Sequence, residues 1–166
     1  MLKKIAVAAP LVAAVLSSSM AFAADDARSS INIKATIPTK QFHAQPRDPN
    51  FGKDETMNYN VVSGELSSLR ATYDVKNTDG SVHAYIEGGP TSAALYNGSD
   101  SIALTNTFNG VVLTATPQEV VDDPQSTPGT QADLVITPAK PADTQNGLYT
   151  AQYTVIFDAV PRAPAP

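Results

Sequence analysis

Residues Ser30 to Pro38 read SINIKATIP, with Ile31, Ile33, Ala35 and Ile37 alternating with Asn32, Lys34 and Thr36. Successive side chains of an extended strand point to opposite faces. The four apolar groups therefore share one face and the polar groups the other. One face requires a core and the other requires water. Pro38 closes the segment, because proline supplies no ladder donor. This is a spare apolar strand near the start of the chain, and the rest of the sequence decides what it packs against.

Upstream, Met1 to Ala23 reads as a secretory signal. Lys3 and Lys4 form a positive n-region and Ile5 to Leu16 an apolar h-region. Ala21-Phe22-Ala23 places small residues at the two positions a signal peptidase reads. The apolar run is short for a bilayer span, which disfavours the alternative of a membrane anchor. Cleavage after Ala23 would export a chain starting at Ala24, with polar ADDARS ahead of the strand.

The 166 residues suffice for one domain with a sizeable core. There is no Cys, so disulfides and thiolate chemistry are excluded, and an exported chain must rely on packing or on partners. The formal charge is −5. Loss of Lys3 and Lys4 with the signal leaves nine basic and 16 acidic residues, or −7. That balance argues against nucleic acid and anionic membrane surfaces. Thirteen prolines and nine glycines favour a turn-rich β-protein over a helical one.

Downstream the period is two. A short edge strand is expected around Gln41 to Ala44, then a loop to Lys53. Thr56 to Val62, Ser68 to Lys76 and Val82 to Ile86 alternate, the last two joined by the turn Asn77-Thr78-Asp79-Gly80. Ala93 to Tyr96 reads as a single helical turn closed by Asn97-Gly98. Ile102 to Phe108 and Val111 to Thr116 form a hairpin across Asn109-Gly110. Pro117 to Gly129 reads as a loop, Leu134 to Thr137 as a short strand, and Pro138 to Asn146 as a second loop.

The last strand, Leu148 to Asp158, has Tyr149, Ala151, Tyr153, Val155 and Phe157 on one face. After it, VPRAPAP carries too many prolines for an internal strand and is expected to be an extended, solvated tail from residue 161. Regular short strands with turns between them imply an all-β, immunoglobulin-like sandwich, which needs about seven strands. Six or seven segments follow Pro38, so counting alone does not show that one is missing. The ending is more telling. A strongly apolar strand has no successor, while a spare apolar strand sits at the other end. A strand lent by one copy to the next would reconcile the two.

These segments also resemble a known family. ARSSINIKATIP is similar to the N-terminal donor strand of major pilins of the alpha class of chaperone–usher fimbriae, the coli-surface-antigen type. GLYTAQYTVIFDA resembles their last strand, LVITPAKPADTQNG the strand and loop before it, and SLRATYDVKNTDGSVHAYIEGGP their two central strands. Within the family the pattern is nearest to the major subunits of cable-type pili. The resemblance implies an incomplete sandwich over residues 39–160, completed by a 24–38 extension from a neighbouring subunit. The donor face would be Ile31, Ile33, Ala35 and Ile37. The acceptor groove would include Tyr149, Ala151, Tyr153, Val155 and Phe157. Ala35 would mark a shallow place in that groove or simply be tolerated there. The implied partners are further copies head-to-tail, a periplasmic chaperone, an outer-membrane usher, a tip adhesin subunit and a host-surface receptor. The implied location is a surface fimbrium reached through the periplasm. The VPRAPAP tail is longer than the family pattern.

No enzyme, cofactor or metal signature accompanies this. His43 and His83 are the only histidines, and both read as surface residues. Asp25-Asp26 and Asp122-Asp123 lack metal-ligand spacing. Glu87-Gly88-Gly89 lacks the Lys and helix of a phosphate loop. Asn97-Gly98-Ser99 fits a glycosylation sequon but reads as a turn. Six tyrosines leave a carbohydrate-binding face, and so a stand-alone adhesin, as the competing reading.

Overall fold

The computed structural model describes residues 30–37, 41–98 and 100–163. The signal, its cleavage site, Asp25-Asp26, Pro38, Ser99 and the last three tail residues lie outside them. The chain divides into two units, Met1–Thr36 and Ile37–Pro166. In the first unit the described residues carry no regular secondary structure, and Ile31 and Ile33 are 80% and 85% exposed.

The second unit is built from two sheets. The larger runs β1 (Phe42–Pro46), β4 (Leu69–Asn77), β10 (Thr130–Pro138), β7 (Asp100–Phe108), β6 (Ala94–Asn97), with β8 (Val111–Val112) added to β7. The smaller runs β11 (Val155–Pro161), β5 (Gly80–Ile86), β9 (Gln118–Val121). A separate hairpin joins β2 (Tyr59–Asn60) to β3 (Glu65–Leu66), and one helical turn, α1, spans Asp123–Ser126. Every ladder is antiparallel.

Alternation places the core. Ala71, Tyr73 and Val75 of β4, Leu134 and Ile136 of β10, and Leu104 and Phe108 of β7 face Val82, Ala84 and Ile86 of β5. Tyr73, Phe108 and Phe157 form an aromatic triangle across the two sheets, with ring centroids 4.9–5.5 Å apart. Offset and edge contacts of this kind contribute about 0.5–1.5 kcal/mol each beyond area burial. On the outer face of the larger sheet, Asp133 accepts from Thr72 Oγ1 (2.6 Å) and Arg70 (2.6 Å), which together hold its carboxyl below the usual range.

Several sequence expectations are corrected. Thr56 to Val62 is not one strand. Asn60 Oδ1 accepts from the N–H groups of Val62 and Ser63, and Gly64 closes the turn at φ 69°, leaving only Tyr59-Asn60 paired. Ala94–Asn97 is a strand and not a helical turn, because β7 offers it a ladder from Asp100 to Ala103. The hairpin after Gly110 ends at Val112, short of Thr116. The 117–129 stretch is not a plain loop: β9 pairs with β5 through a bulge, and Asp122 caps α1 by accepting from Gln125 N–H. Strand β10 is nine residues long, and only its last half reads as apolar.

Candidate functional site

The last strand begins later and ends later than its sequence suggests. Its ladder with β5 runs from Val155↔Ile86 to Pro161↔Gly80. Residues 148–154 carry no ladder apart from the bridge Tyr96↔Thr150. β5 ends at Ile86, so the first half of the expected strand has no neighbour on that side.

Strand β11 is an edge. Glu87 N–H donates to Thr154 C=O (3.0 Å) and Arg162 N–H to Asp79 C=O (2.6 Å), which fixes the parity of the ladder. Ile156, Asp158 and Val160 turn their backbone groups toward β5. Val155, Phe157 and Ala159 turn theirs outward. Among the described residues no strand pairs with that outer edge. The same three residues sit opposite core residues Ile86, Ala84 and Val82. Yet Val155 and Phe157 are only half-buried and Ala159 is exposed. Phe51, Met57 and Leu69 are also only partly covered where they pack against the core. An unpaired backbone edge thus runs beside incompletely covered apolar side chains, a template for another strand.

The expected site residues fall into three groups. Val155 and Phe157 lie on the core side of β11. Tyr153, just before the strand, packs on the core and donates its hydroxyl to Asn106 Oδ1 at 2.7 Å; Asn106 is 1% exposed. Burial pushes the Tyr153 hydroxyl up, against the opposing pull of that bond. Ala151 is exposed, and Tyr149 precedes the ladder, its hydroxyl buried without a partner. That burial, with Asp100 nearby, raises Tyr149. Ile31, Ile33, Ala35 and Ile37 are all exposed.

The C-terminal clamp was not foreseen in the sequence, and it corrects the tail boundary at 161. Pro161 belongs to β11, and its missing N–H lies on the side away from β5, so the ladder to β5 loses nothing. Arg162 grips Asp123 through two bonds of 2.5 and 2.6 Å, holding that carboxyl at about 2. Gly80 makes room for the crossing: a Cβ there would lie 2.1 Å from Val160 O. Ser126 Oγ bonds Gly80 O from beneath. The only advance signal was the Asp-Gly turn itself. His83, its side chain 24% exposed, faces Glu119 at 3.8 Å.

The fold defines a class: an all-β sandwich domain in which β11 stands at an edge of the smaller sheet. The model of CS1 type fimbrial major subunits matches residues 27–158, and the chain belongs to that family. It is a structural subunit of a surface fimbrium, a protein that polymerises with copies of itself. Among solved structures it is similar to the CooA pilin subunit from enterotoxigenic Escherichia coli. The two are 18% identical, with 61% of this chain and 75% of that one covered, at a TM-score of 0.46. No curated protein matches the chain.

Proposed function

We propose that the subunit polymerises head-to-tail by donor-strand exchange. Residues 30–37 of one copy enter the open side of the next and pair with the outer edge of β11. The observation that carries this is the pairing of two exposed surpluses in one sequence. One is an unpaired edge over half-buried Val155 and Phe157; the other is an alternating segment whose isoleucines face solvent. Donor and acceptor are different surfaces, so the contact need not close and yields an open fibre. The expected donor face is Ile31, Ile33, Ala35 and Ile37, and the acceptor lining is Tyr153, Val155 and Phe157, with Tyr149 and Ala151 at its entrance.

The rest of the pathway follows from the same reading. A signal over residues 1–23 directs the chain through the periplasm. A chaperone covers the apolar edge until an outer-membrane usher exchanges it for the next subunit. A tip adhesin begins the fibre, and the fibre supports attachment to a host surface. The role is structural and not enzymatic. The test is Ile33→Asp, which buries a charge in the acceptor. Export continues and fibres disappear; normal fibres from this variant would refute the proposal.

A further inference from the structure

Apart from Val112, 53% exposed on β8, the exposed large apolar residues between Gln41 and Ala163 gather at the two ends of the sandwich. Strand β4 connects two ends of the sandwich. At its Leu69 end lie the β2–β3 hairpin, the 139–147 loop and the Tyr96↔Thr150 bridge. Gly64 of the hairpin faces Lys140, Ala139 N–H bonds Ala103 O, and Asn97 Nδ2 bonds Asn146 O. At its Asn77 end lie the Thr78-Asp79 turn, α1 and Arg162. Val61, Val62 and Leu148 are 85%, 93% and 82% exposed, and Tyr59 and Tyr96 about half, all at the Leu69 end. Phe42, paired with Asn77, is the large exposed apolar group at the other end.

We infer that the Leu69 end, led by Val61, Val62 and Leu148, is the docking surface for the body of the next copy in the fibre, which presents its Phe42 end. This rests on the donor-strand reading and adds a second contact to it. Every ladder in the domain is antiparallel, so a strand added to β11 in the same sense places its Ser30 end beside Pro161 and its Ile37 end beside Val155. Val155 pairs with Ile86, at the Leu69 end of the sandwich. The donor's own body begins at Gln41, which is bonded to Thr78 through Gln41 N–H to Thr78 Oγ1 (2.9 Å) and Thr78 N–H to Gln41 O (3.0 Å). Four residues of chain reach at most about 14 Å. The next body is therefore held close against the Leu69 end, with its Gln41, Phe42 and Thr78 turned toward it. Two copies of net negative charge gain from an apolar contact at that junction. At so high a local concentration even a small patch stays engaged.

The chain has no Cys, so placed thiols report the contact directly. Val62→Cys and Gln125→Cys are introduced together, both at exposed positions. Nine residues of β4, roughly 30 Å, separate the two ends within one chain, so bridging is intermolecular. Assembled fibres treated with a short flexible thiol crosslinker should give a ladder of covalent multimers on a denaturing gel. Either single variant gives dimers at most. Val61→Cys with Pro128→Cys provides an independent pair. Intact fibres in which neither pair yields a ladder overturn the docking surface and leave strand exchange standing. Fibre formation by the Ile33→Asp chain carrying the same thiols overturns strand exchange itself.

Discussion

Tyr153→Phe tests whether the edge of the core beside β11 is organised as described. The hydroxyl donates to Asn106 Oδ1 at 2.7 Å, and Asn106 is 1% exposed. Asn106 Nδ2 donates to Leu104 O (3.4 Å), and its amide oxygen accepts from Tyr153. Removing the hydroxyl leaves a buried acceptor unmade, which costs about 1–3 kcal/mol. The ring remains, so no cavity adds to the loss. Urea unfolding of the chain carrying the proposed donor strand, residues 30–37, measures this. With m of about 2 kcal/mol/M, the midpoint falls by roughly 0.5–1.5 M with m unchanged. Asn106→Leu in the same background removes the stranded acceptor, so the double variant is less destabilised than the two single changes summed. The coupling should exceed about 0.5 kcal/mol. A midpoint unmoved by Tyr153→Phe, or strictly additive changes, would refute the bond and the burial assigned to it.

Two further outcomes concern the clamp. Gly80→Ala puts a Cβ at 2.1 Å from Val160 O at a backbone φ of 151°, so β11 is pushed off β5; a loss of at least about 1–3 kcal/mol in thermal unfolding is expected. Asp123 sits at about 2 in the folded protein, below its ordinary 3.8, first because of its bond to Arg162 and then to Thr127. A lowered folded value stabilises above the unfolded pKa and is lost as pH falls. The protective effect is complete above about pH 4 and fades toward pH 2, and Arg162→Gln flattens that part of the melting-temperature profile.

The legible parts of the fold were those where local chemistry and tertiary neighbours agree. Strands β4 and β5 announce themselves by alternation on both sides of an Asp-Gly turn, and the structure keeps both the strands and the turn. The misreadings occur where a neighbour decides. Ala94–Asn97 has no period of its own and becomes a strand because β7 lies beside it. Gln118–Val121 hides in a Pro- and Asp-bearing stretch, yet Val120 and Val121 are buried against β5. The last strand alternates uniformly from Tyr149 to Phe157, and periodicity cannot say which half finds a partner. The end of β5 does. Pro161 argued for a tail by composition, but on an edge a proline facing outward costs no hydrogen bond. Val155 and Phe157 lie on the core side of β11, the face that alternation alone gives them. The Asn106–Tyr153 bond needed the fold, since 47 residues separate its ends.

The central claim is that the domain lacks one strand and residues 30–37 supply it. Thermal unfolding with size analysis of two chains tests this most directly. One begins at Pro38. The other also begins there but carries residues 30–37 after Ala163 on a short flexible linker, beyond the Arg162 clamp, so that the added strand folds back antiparallel along β11. The account predicts that only the second is monomeric and unfolds cooperatively, while the first aggregates or melts without a sharp transition. A truncated chain that is already monomeric and equally stable would mean the sandwich is complete, and strand exchange would be excluded as the basis of assembly.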